Sequence, residues 1–265
     1  MPEDLLWRNL KELPAFRGLL RAVEARFYQS LDLPEPVLDL GCGDAHFASV
    51  AFERPLQAGV DPLWASLREA PGRRAYQILV QAEGATLPFP TGHFACAVSN
   101  SVLEHIPHLD PVLTEVGRVL QPGAPFYLCA PSDHFLGYLS ISGGLRRLGL
   151  LAAAGTYERW FNRISRHHHS DSPETWKTRL GQAGFSMERW WYYFSPGALR
   201  ALEWGHYLGL PSAVAKLLFG RWVLVPARWN LALTEGLLRK FYDEPQPREG
   251  AYLFMVARKA TGLTE

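Results

Sequence analysis

Between residues 37 and 130 the sequence alternates short apolar runs with segments of helical periodicity. The apolar runs suit buried strands and lie at 37–40, 57–60, 76–80, 94–99 and 125–130. The helical patterns between them lie at 45–52, 64–70 and 111–120. Strands that alternate with helices are typical of a parallel sheet covered by helices. After each strand the chain must cross back over the sheet, usually as a helix, before the next strand can run in the same direction.

Outside this stretch the pattern becomes mostly helical. Residues 4–31 predict two helices separated at Pro14, and residues 195–247 predict several apolar helices. Ser172 is suited to cap a helix over 172–183 that ends before Gly184, and strands follow at 187–194 and 251–257. The fold class predicted is α/β: a doubly wound, seven-stranded, mostly parallel sheet with helical insertions that form a lid.

The same patterns predict how the chain is organised. We expect the core of the fold to be interrupted by segments that are added to it. The predicted segments are an N-terminal helical cap (1–31), a ligand-binding core (32–131), a lid insertion (132–170), a core helix and strand (171–194), a helical insertion that forms a substrate lid or a membrane or partner face (195–247), and the last core strand and tail (248–265).

Composition and cysteine usage exclude several classes of protein. Hydrophobic residues make up 48% and charged residues 20%, which is typical of a globular chain, and the net charge of +1 gives no reason to expect nucleic acid as a partner. Cys42, Cys96 and Cys129 stand singly in apolar runs, which indicates buried thiols rather than a disulfide framework or metal cluster. The consecutive histidines at 167–169 point in different directions, so we predict no metal site.

The first residues do not show the basic-then-apolar pattern of a secretory signal, and the longest apolar stretch, 222–233, is too short to cross a bilayer. These features predict a cytoplasmic protein.

The glycine-rich turn after the first strand is the most informative motif. Gly41 and Gly43 allow a sharp turn and a close approach of the backbone to a ligand. His46 stands where a dinucleotide site needs a small residue, which disfavours a nicotinamide dehydrogenase, and no Gly-Lys-Ser/Thr follows as in a phosphate loop. Asp61 ends the second strand about twenty residues on, where a carboxylate suits the hydroxyls of a ribose. The site predicted is for a nucleoside with a small carboxylated end, as in S-adenosylmethionine.

From these residues the chain resembles the class I S-adenosylmethionine-dependent methyltransferases that act on small molecules, which have a Rossmann-like fold. The resemblance covers about 34–131, 172–194 and 251–258. The matching motifs, in chain order, are Val37-Leu-Asp-Leu-Gly-Cys-Gly43, Asp61, the segments 83–90 and 94–105, the turn 118–123, and the segment 174–185.

The resemblance implies which residues bind the cofactor S-adenosylmethionine. Asp39 would lie beneath the ligand and order the glycine turn, Asp61 would bind the ribose, and Glu83 would meet the adenine amino group, although the family usually has Asp at that position. The implied cofactor-binding residues are Asp39, Gly41, Cys42, Gly43, Asp61, Pro62, Glu83, Gly84, Asn100 and Ser101.

Two histidines are candidates for catalysis. His105 lies inside a matched motif and could accept a proton from an acceptor hydroxyl, because the ordinary pKa of histidine is near neutrality. His134 follows the fifth strand, on the side where substrates enter this fold. Packing or a place in the substrate wall is the alternative role for either residue.

The added segments bear on the acceptor. They are rich in aromatic residues, and residues 132–247 carry 14 Lys and Arg against 9 Asp and Glu. Apolar surface with interspersed arginine suits a bulky hydrophobic or lipid-like acceptor, or peripheral contact with a membrane. A water-soluble metabolite, a protein or a nucleic acid remain the other acceptor classes. A protein that keeps the fold and binds S-adenosylmethionine without catalysis, or serves as a partner protein, is the alternative to an enzyme. The oligomeric state is left open.

Overall fold

The computed structural model describes residues 4–261, which form two compact units. The sheet unit comprises residues 31–133, 165–192 and 252–261, and the helical unit comprises residues 4–30, 134–164 and 193–251. The outermost residues of the predicted segments 1–31 and 248–265, namely 1–3 and 262–265, lie outside this description.

Seven strands form one sheet in the order β3-β2-β1-β4-β5-β7-β6. The strands are β1 (Val37–Leu40), β2 (Leu56–Asp61), β3 (Tyr76–Gln81), β4 (Cys96–Asn100), β5 (Pro125–Pro131), β6 (Phe185–Tyr193) and β7 (Tyr252–Lys259). Pairing is parallel from β3 through β5, and β7 runs antiparallel to β5. The predicted seven-stranded, mostly parallel sheet is therefore confirmed.

Both the sheet unit and the helical unit contain α-helices. They are α1 (Leu5–Leu10), α2 (Ala15–Tyr28), α3 (His46–Ala51), α4 (Trp64–Leu67), α5 (Leu109–Val119), α6 (Ser140–Arg147), α7 (Leu151–Ser165), α8 (Pro173–Gln182), α9 (Pro196–Leu208), α10 (Leu210–Phe219) and α11 (Arg228–Tyr242). Short 3-10 helices occur at Ala70–Arg73 and Leu103–His105. None of the helices in residues 4–261 is both long and apolar enough to cross a membrane.

The core of the sheet unit lies where α5 and α8 pack on the central strands. Strands β1, β4 and β5 are buried along their whole length, because a parallel sheet covered by helices leaves neither face of its central strands in water. Leu113 and Val116 of α5 and Trp176 and Leu180 of α8 are fully buried in the same cluster. Helix α8 begins as predicted, with the Ser172 hydroxyl accepting a hydrogen bond from the Thr175 N–H.

The helical unit packs α1, α2, α9 and α11 against one another. Pro14 separates α1 from α2, as the sequence predicts. Buried polar residues join segments that are distant in sequence: the Tyr193 hydroxyl donates to the buried Glu24 carboxylate at 2.9 Å, and Arg239 forms ion pairs with Asp4 and Glu235.

A buried carboxylate fixes the start of α6 in the helical unit. Glu203 of α9 accepts hydrogen bonds from the Ser140 N–H at 2.6 Å, the Ile141 N–H at 3.1 Å and the Ser140 hydroxyl at 2.6 Å. The Tyr157 hydroxyl of α7 donates to the same carboxylate at 2.7 Å. A carboxylate at a helix N-terminus satisfies unpaired backbone N–H groups, so Glu203 acts as an N-cap supplied from another helix.

Candidate cofactor and acceptor sites

The turn between β1 and α3 is held by the backbone of β2. The N–H groups of Gly41 and Cys42 both donate to the Val60 carbonyl, at 2.8 and 3.0 Å. Gly41 has φ +80°, and a Cβ at this position would collide with the Val102 side chain. Both the backbone conformation and the close packing therefore require glycine here.

Gly43 differs from Gly41 in what surrounds it. It has φ +54°, and a Cβ built on it would meet no atom of the protein within 4 Å. Its N–H donates to the Asp61 carboxylate at 3.0 Å. The turn thus presents backbone to open space at the carboxyl end of β1, where a ligand of this fold class binds.

Asp61 closes this turn from the end of β2. Its side chain is nearly buried, and its second oxygen accepts the Leu63 N–H at 2.9 Å. Each carboxylate oxygen has two acceptor positions, so two backbone bonds leave capacity for hydroxyl donors of a ligand. Exposed Leu63 and Trp64 follow immediately and provide apolar surface beside the carboxylate. These two residues are not among the site residues predicted from the sequence, although their position directly after the Asp61-Pro62 motif is a usable signal.

Asp39 is a buried carboxyl in the middle of the neighbouring strand. The Tyr76 hydroxyl of β3 donates to it at 2.5 Å. Burial, with a smaller contribution from the Asp61 charge, raises the pKa of Asp39 to about 7, against the opposing effect of the Tyr76 hydrogen bond. Burial and the Asp39 charge in turn raise the pKa of Tyr76 well above its ordinary value. The sheet unit therefore holds a carboxyl that a positively charged ligand would convert to its ionised form.

The carboxyl end of β4 contributes Asn100 and Ser101. Both are buried, and Ser101 has φ +51°, a left-handed conformation that is uncommon for a residue with a side chain. The Cys129 thiol of β5 donates to the Asn100 side-chain oxygen at 3.1 Å. Cys129 thus orients a predicted site residue, and no signal in the sequence links two residues on different strands in this way.

Glu83 and Gly84 lie in the loop after β3, and Pro62 lies in the loop after β2. Glu83 is exposed, and its carbonyl accepts the Thr86 N–H at 3.0 Å. A Cβ on Gly84 would lie 3.0 Å from the Val112 side chain, which favours glycine at this position. Pro62 is exposed, and its carbonyl accepts the Gln81 side-chain amide at 3.0 Å.

The loop that contains Glu83 is attached to helix α5. Glu115 accepts the Leu87 N–H at 2.8 Å, and Arg118, which is paired with Glu115, donates to the carbonyls of Leu87 and Phe89 at 3.0 Å. Hydrogen bonds that involve charged groups are among the stronger ones in proteins, so this pair restrains the loop.

His105 is half-exposed at the end of the 3-10 helix that follows β4. Its Nδ1 lies 3.0 Å from the Arg166 carbonyl, so Nδ1 carries the proton and Nε2 is the basic nitrogen of the neutral ring. Nε2 lies 3.8 Å from the Glu104 carboxylate. His134 belongs to the helical unit, where its ring stacks on Tyr138 with centroids 5.4 Å apart. A catalytic role for either histidine stays a prediction.

The histidine run is tied to the same 3-10 helix. The N–H groups of His168 and His169 donate to the Glu104 carbonyl at 2.7 and 3.3 Å, and the His169 Nε2 lies 2.9 Å from the Ile106 carbonyl. These contacts position the segment before α8 against the loop after β4.

The helical unit contains an apolar cavity of about 640 Å³. It is lined by Leu10 and residues 13–16 at the junction of α1 and α2, by the α9–α10 hairpin, by the connector 222–225 and by α11. Most of the lining side chains are aliphatic or aromatic. The polar ones are Ser212, Asn230, Thr234 and Lys240, together with the indole N–H of Trp204.

Comparisons with known proteins agree with the fold. A family model for a methyltransferase domain matches residues 6–189. A protein of Mycobacterium sp. (strain JLS), named an uncharacterized methyltransferase, is 31% identical over 117 residues, which cover 42% of this chain and 46% of that protein. The ubiquinone/menaquinone biosynthesis C-methyltransferase UbiE of Pseudomonas aeruginosa (strain LESB58) is 32% identical over 132 residues, which cover 48% of this chain and 50% of UbiE.

A similar solved structure is that of an S-adenosylmethionine-dependent methyltransferase from Thermotoga maritima. It aligns with a TM-score of 0.57 at 14% identity and covers 92% of this chain and 91% of its own. Identity this low establishes the fold alone. The chain spans about half the length of the curated relatives it matches.

Proposed function

The chain belongs to the class I S-adenosylmethionine-dependent methyltransferase family, and on that premise we propose that it transfers a methyl group to a small, hydrophobic or lipid-like acceptor. The methyl donor of the family is S-adenosylmethionine. The observation that carries the choice of acceptor is the apolar cavity of the helical unit. We propose that the protein acts on the cytoplasmic side of a membrane, because an acceptor of this kind would reside in the membrane.

The sheet unit fits the methyl donor. The open space beside Gly43 is available to a ligand, and Asp39 within β1 and Asp61 at the end of β2 supply two carboxyl groups on adjacent strands. We assign Asp61 to the ribose hydroxyls, and Asp39 to the positive charge of the ligand and to ordering the turn. The exposed Leu63 and Trp64 suit a flat base. When bound, the cofactor supplies an electrophilic methyl group on a sulfonium sulfur, so the protein has mainly to position the acceptor and exclude water.

The cavity fits an acceptor with an apolar chain or ring system. Its volume lies within the range of about 300–1,000 Å³ that is usual for ligand pockets. Each methylene buried against such a lining contributes about 0.8 kcal/mol, so a chain of roughly eight methylenes would contribute about 6 kcal/mol to binding. A highly polar metabolite would lose its hydrogen bonds to water and find few partners among the lining side chains.

Two further observations support this class of acceptor. Lys240 lines the cavity, and its ammonium group lies 4.8 Å from the centre of the Phe241 ring, so an anionic or polar head group would have a cation at hand. The Pseudomonas relative is named for C-methylation in ubiquinone/menaquinone biosynthesis, a pathway with hydrophobic products. His105 is the residue we assign to accept a proton if the acceptor must lose one.

Steady-state methyl transfer to a matched pair of acceptors tests the proposal. The pair consists of a phenolic head group with a long alkyl chain and the same head group without the chain, with S-adenosylhomocysteine production as the readout. We expect kcat/KM to be at least roughly tenfold higher for the acceptor with the chain. Equal turnover of both acceptors would contradict the assignment. Binding of S-adenosylmethionine without any transfer would favour the non-catalytic alternative.

Two alanines of α10 provide a matched pair of variants. Ala215 lines the cavity, whereas Ala213 is exposed and does not. Ala215→Trp should fill part of the cavity and raise KM for the acceptor with the chain by at least roughly tenfold, with the affinity for S-adenosylmethionine unchanged. Ala213→Trp should leave both constants unchanged. Equal effects of the two variants would show that the cavity is not where the acceptor binds.

A further inference from the structure

Many large apolar side chains of the helical unit are exposed between residues 204 and 237. We call the surface that this segment forms the apolar surface. We propose that the apolar surface docks on an anionic lipid membrane. This inference goes beyond the acceptor, because docking requires no methyl transfer.

Helix α10 is apolar on two sides. Leu210, Val214 and Leu217 recur at helical spacing and are 66%, 54% and 84% exposed. Ala215, on the other side of the helix, lines the cavity together with the polar Ser212. Exposed apolar side chains that cluster on one side of a helix mark an interaction surface, and the outward side of α10 has no protein cover.

Helix α11 repeats this arrangement. Trp229, Leu233 and Leu237 are spaced four residues apart and are 77%, 75% and 58% exposed. Trp229 and Leu233 face away from Leu231 and Leu238, which line the cavity, and Leu237 lies at the edge of the cavity. Two neighbouring segments of one unit therefore expose apolar stripes of the kind that enter the interfacial region of a bilayer.

The mouth of the cavity is formed by the same surface. Several side chains are exposed and also line the cavity: Trp204, Leu208, Leu224, Val225 and Leu237. The apolar lining is therefore continuous with the apolar exterior of the unit. On a membrane, this opening would face hydrocarbon rather than water.

Charge favours an anionic lipid surface over a second copy of the chain. The apolar surface, residues 204–237, carries Lys216, Arg221 and Arg228 against one acidic residue, Glu235. Arg228 lies 3.5 Å from Glu235 and over the Trp7 ring, whereas Arg221 is exposed at the end of α10. A two-fold interface would bring this basic surface against itself, and like charges would face each other.

The docking is interfacial rather than spanning. Helix α10 has 10 residues and a length of about 15 Å, roughly half the thickness of the hydrocarbon core of a bilayer. Apolar side chains would insert to the boundary between the head groups and the acyl chains, and the flanking basic residues would remain at the lipid phosphates.

Co-sedimentation of the full chain with lipid vesicles tests the proposal. The vesicles are phosphatidylcholine alone and phosphatidylcholine mixed with phosphatidylglycerol. We expect at least roughly tenfold stronger binding to the anionic vesicles, weakened by added salt. The double variant Leu217→Glu/Leu233→Glu should reduce that binding at least tenfold. Ile78→Glu, a charge placed on a half-exposed apolar residue of the sheet unit, is the matched control and should bind as the wild type.

Neither Leu217 nor Leu233 lines the cavity, so the double variant should still bind S-adenosylmethionine and methylate a detergent-dispersed acceptor. That result separates loss of docking from failure of the proposed function. If the double variant does not fold, Leu217→Ser/Leu233→Ser replaces it. The proposal is overturned if the wild type ignores anionic vesicles or if the variant binds them equally. It is also overturned if ultracentrifugation shows a dimer that the variant disrupts, without vesicle binding.

Discussion

Replacing Gly43 by alanine would separate the role of this residue in folding from its role in binding the cofactor. A Cβ at Gly43 meets no protein atom within 4 Å, so the only cost to the free protein is the left-handed backbone at φ +54°. That conformation costs a residue with a side chain about 1–2 kcal/mol. For a chain of this size, we expect the unfolding temperature to fall by about 2–8 °C.

The effect on binding should be larger and specific. If the open space belongs to the cofactor, the new methyl group meets the ligand, and an overpacked contact of this kind costs about 1–3 kcal/mol. The dissociation constant of S-adenosylmethionine should therefore rise by roughly 5- to 150-fold. Isothermal titration calorimetry with S-adenosylmethionine and with S-adenosylhomocysteine measures this directly.

Gly92 provides the matched control. It has φ +67°, a Cβ there also meets no protein atom within 4 Å, and its N–H likewise makes one hydrogen bond, to the Arg118 carbonyl. Gly92→Ala should lower the unfolding temperature about as much as Gly43→Ala and leave cofactor affinity unchanged. The reasoning is refuted if Gly43→Ala binds the cofactor as tightly as the wild type, or if both variants lose affinity equally.

Three further predictions concern buried carboxyl groups. Asp61→Asn replaces one acceptor oxygen by a donor and removes the charge, so cofactor affinity should fall at least roughly tenfold by calorimetry, and an unchanged constant would contradict the ribose assignment. Asp39 has a pKa of about 7 and is mostly protonated below that pH, so the affinity for the cationic cofactor should rise roughly tenfold between pH 6 and 8. Asp39→Asn should abolish that rise, and a pH dependence that persists in the variant would exclude Asp39 as its source. Glu203→Gln should lower the free energy of unfolding by about 3 kcal/mol in denaturant titration, because hydrogen bonds to a charged acceptor are lost. The exposed Glu249→Gln should change it by less than about 0.5 kcal/mol, and equal losses would show that burial of Glu203 contributes nothing.

The features that the sequence predicted correctly are local ones. The strand of residues 37–40 and the helix that begins after Ser172 follow from periodicity and capping residues within a short window. The turn at Gly41 could be predicted because two glycines directly follow an apolar strand, and the structure shows the positive φ angle that requires them. The parallel sheet follows from the alternation of strands and helices along the chain. This alternation is visible only when several of these local patterns are compared.

The features that could not be predicted join residues far apart in the chain. Tyr76 donates a hydrogen bond to Asp39, which is 37 residues away in the sequence, and Glu203 caps a helix that begins 63 residues before it. The N-terminal helices line a cavity together with residues 201–241, although each segment by itself shows only an amphipathic pattern. Such contacts depend on how the helices and strands pack in three dimensions. A hydropathy pattern indicates which side of a helix or strand is buried, but it does not indicate which other element covers that side.

The position of β7 has a consequence for how the chain acquires its structure during synthesis. This strand lies between β5 and β6 and pairs with β5 along seven residues, from Pro125 opposite Arg258 to Pro131 opposite Tyr252. Strand β6 therefore has no neighbour in the sheet until residues 194–251 and then β7 have left the ribosome. At about 5–20 residues per second this takes several seconds. During that interval the nascent chain exposes an unpaired edge on β5 and a detached apolar strand, so its vulnerability to aggregation should be greatest late in translation.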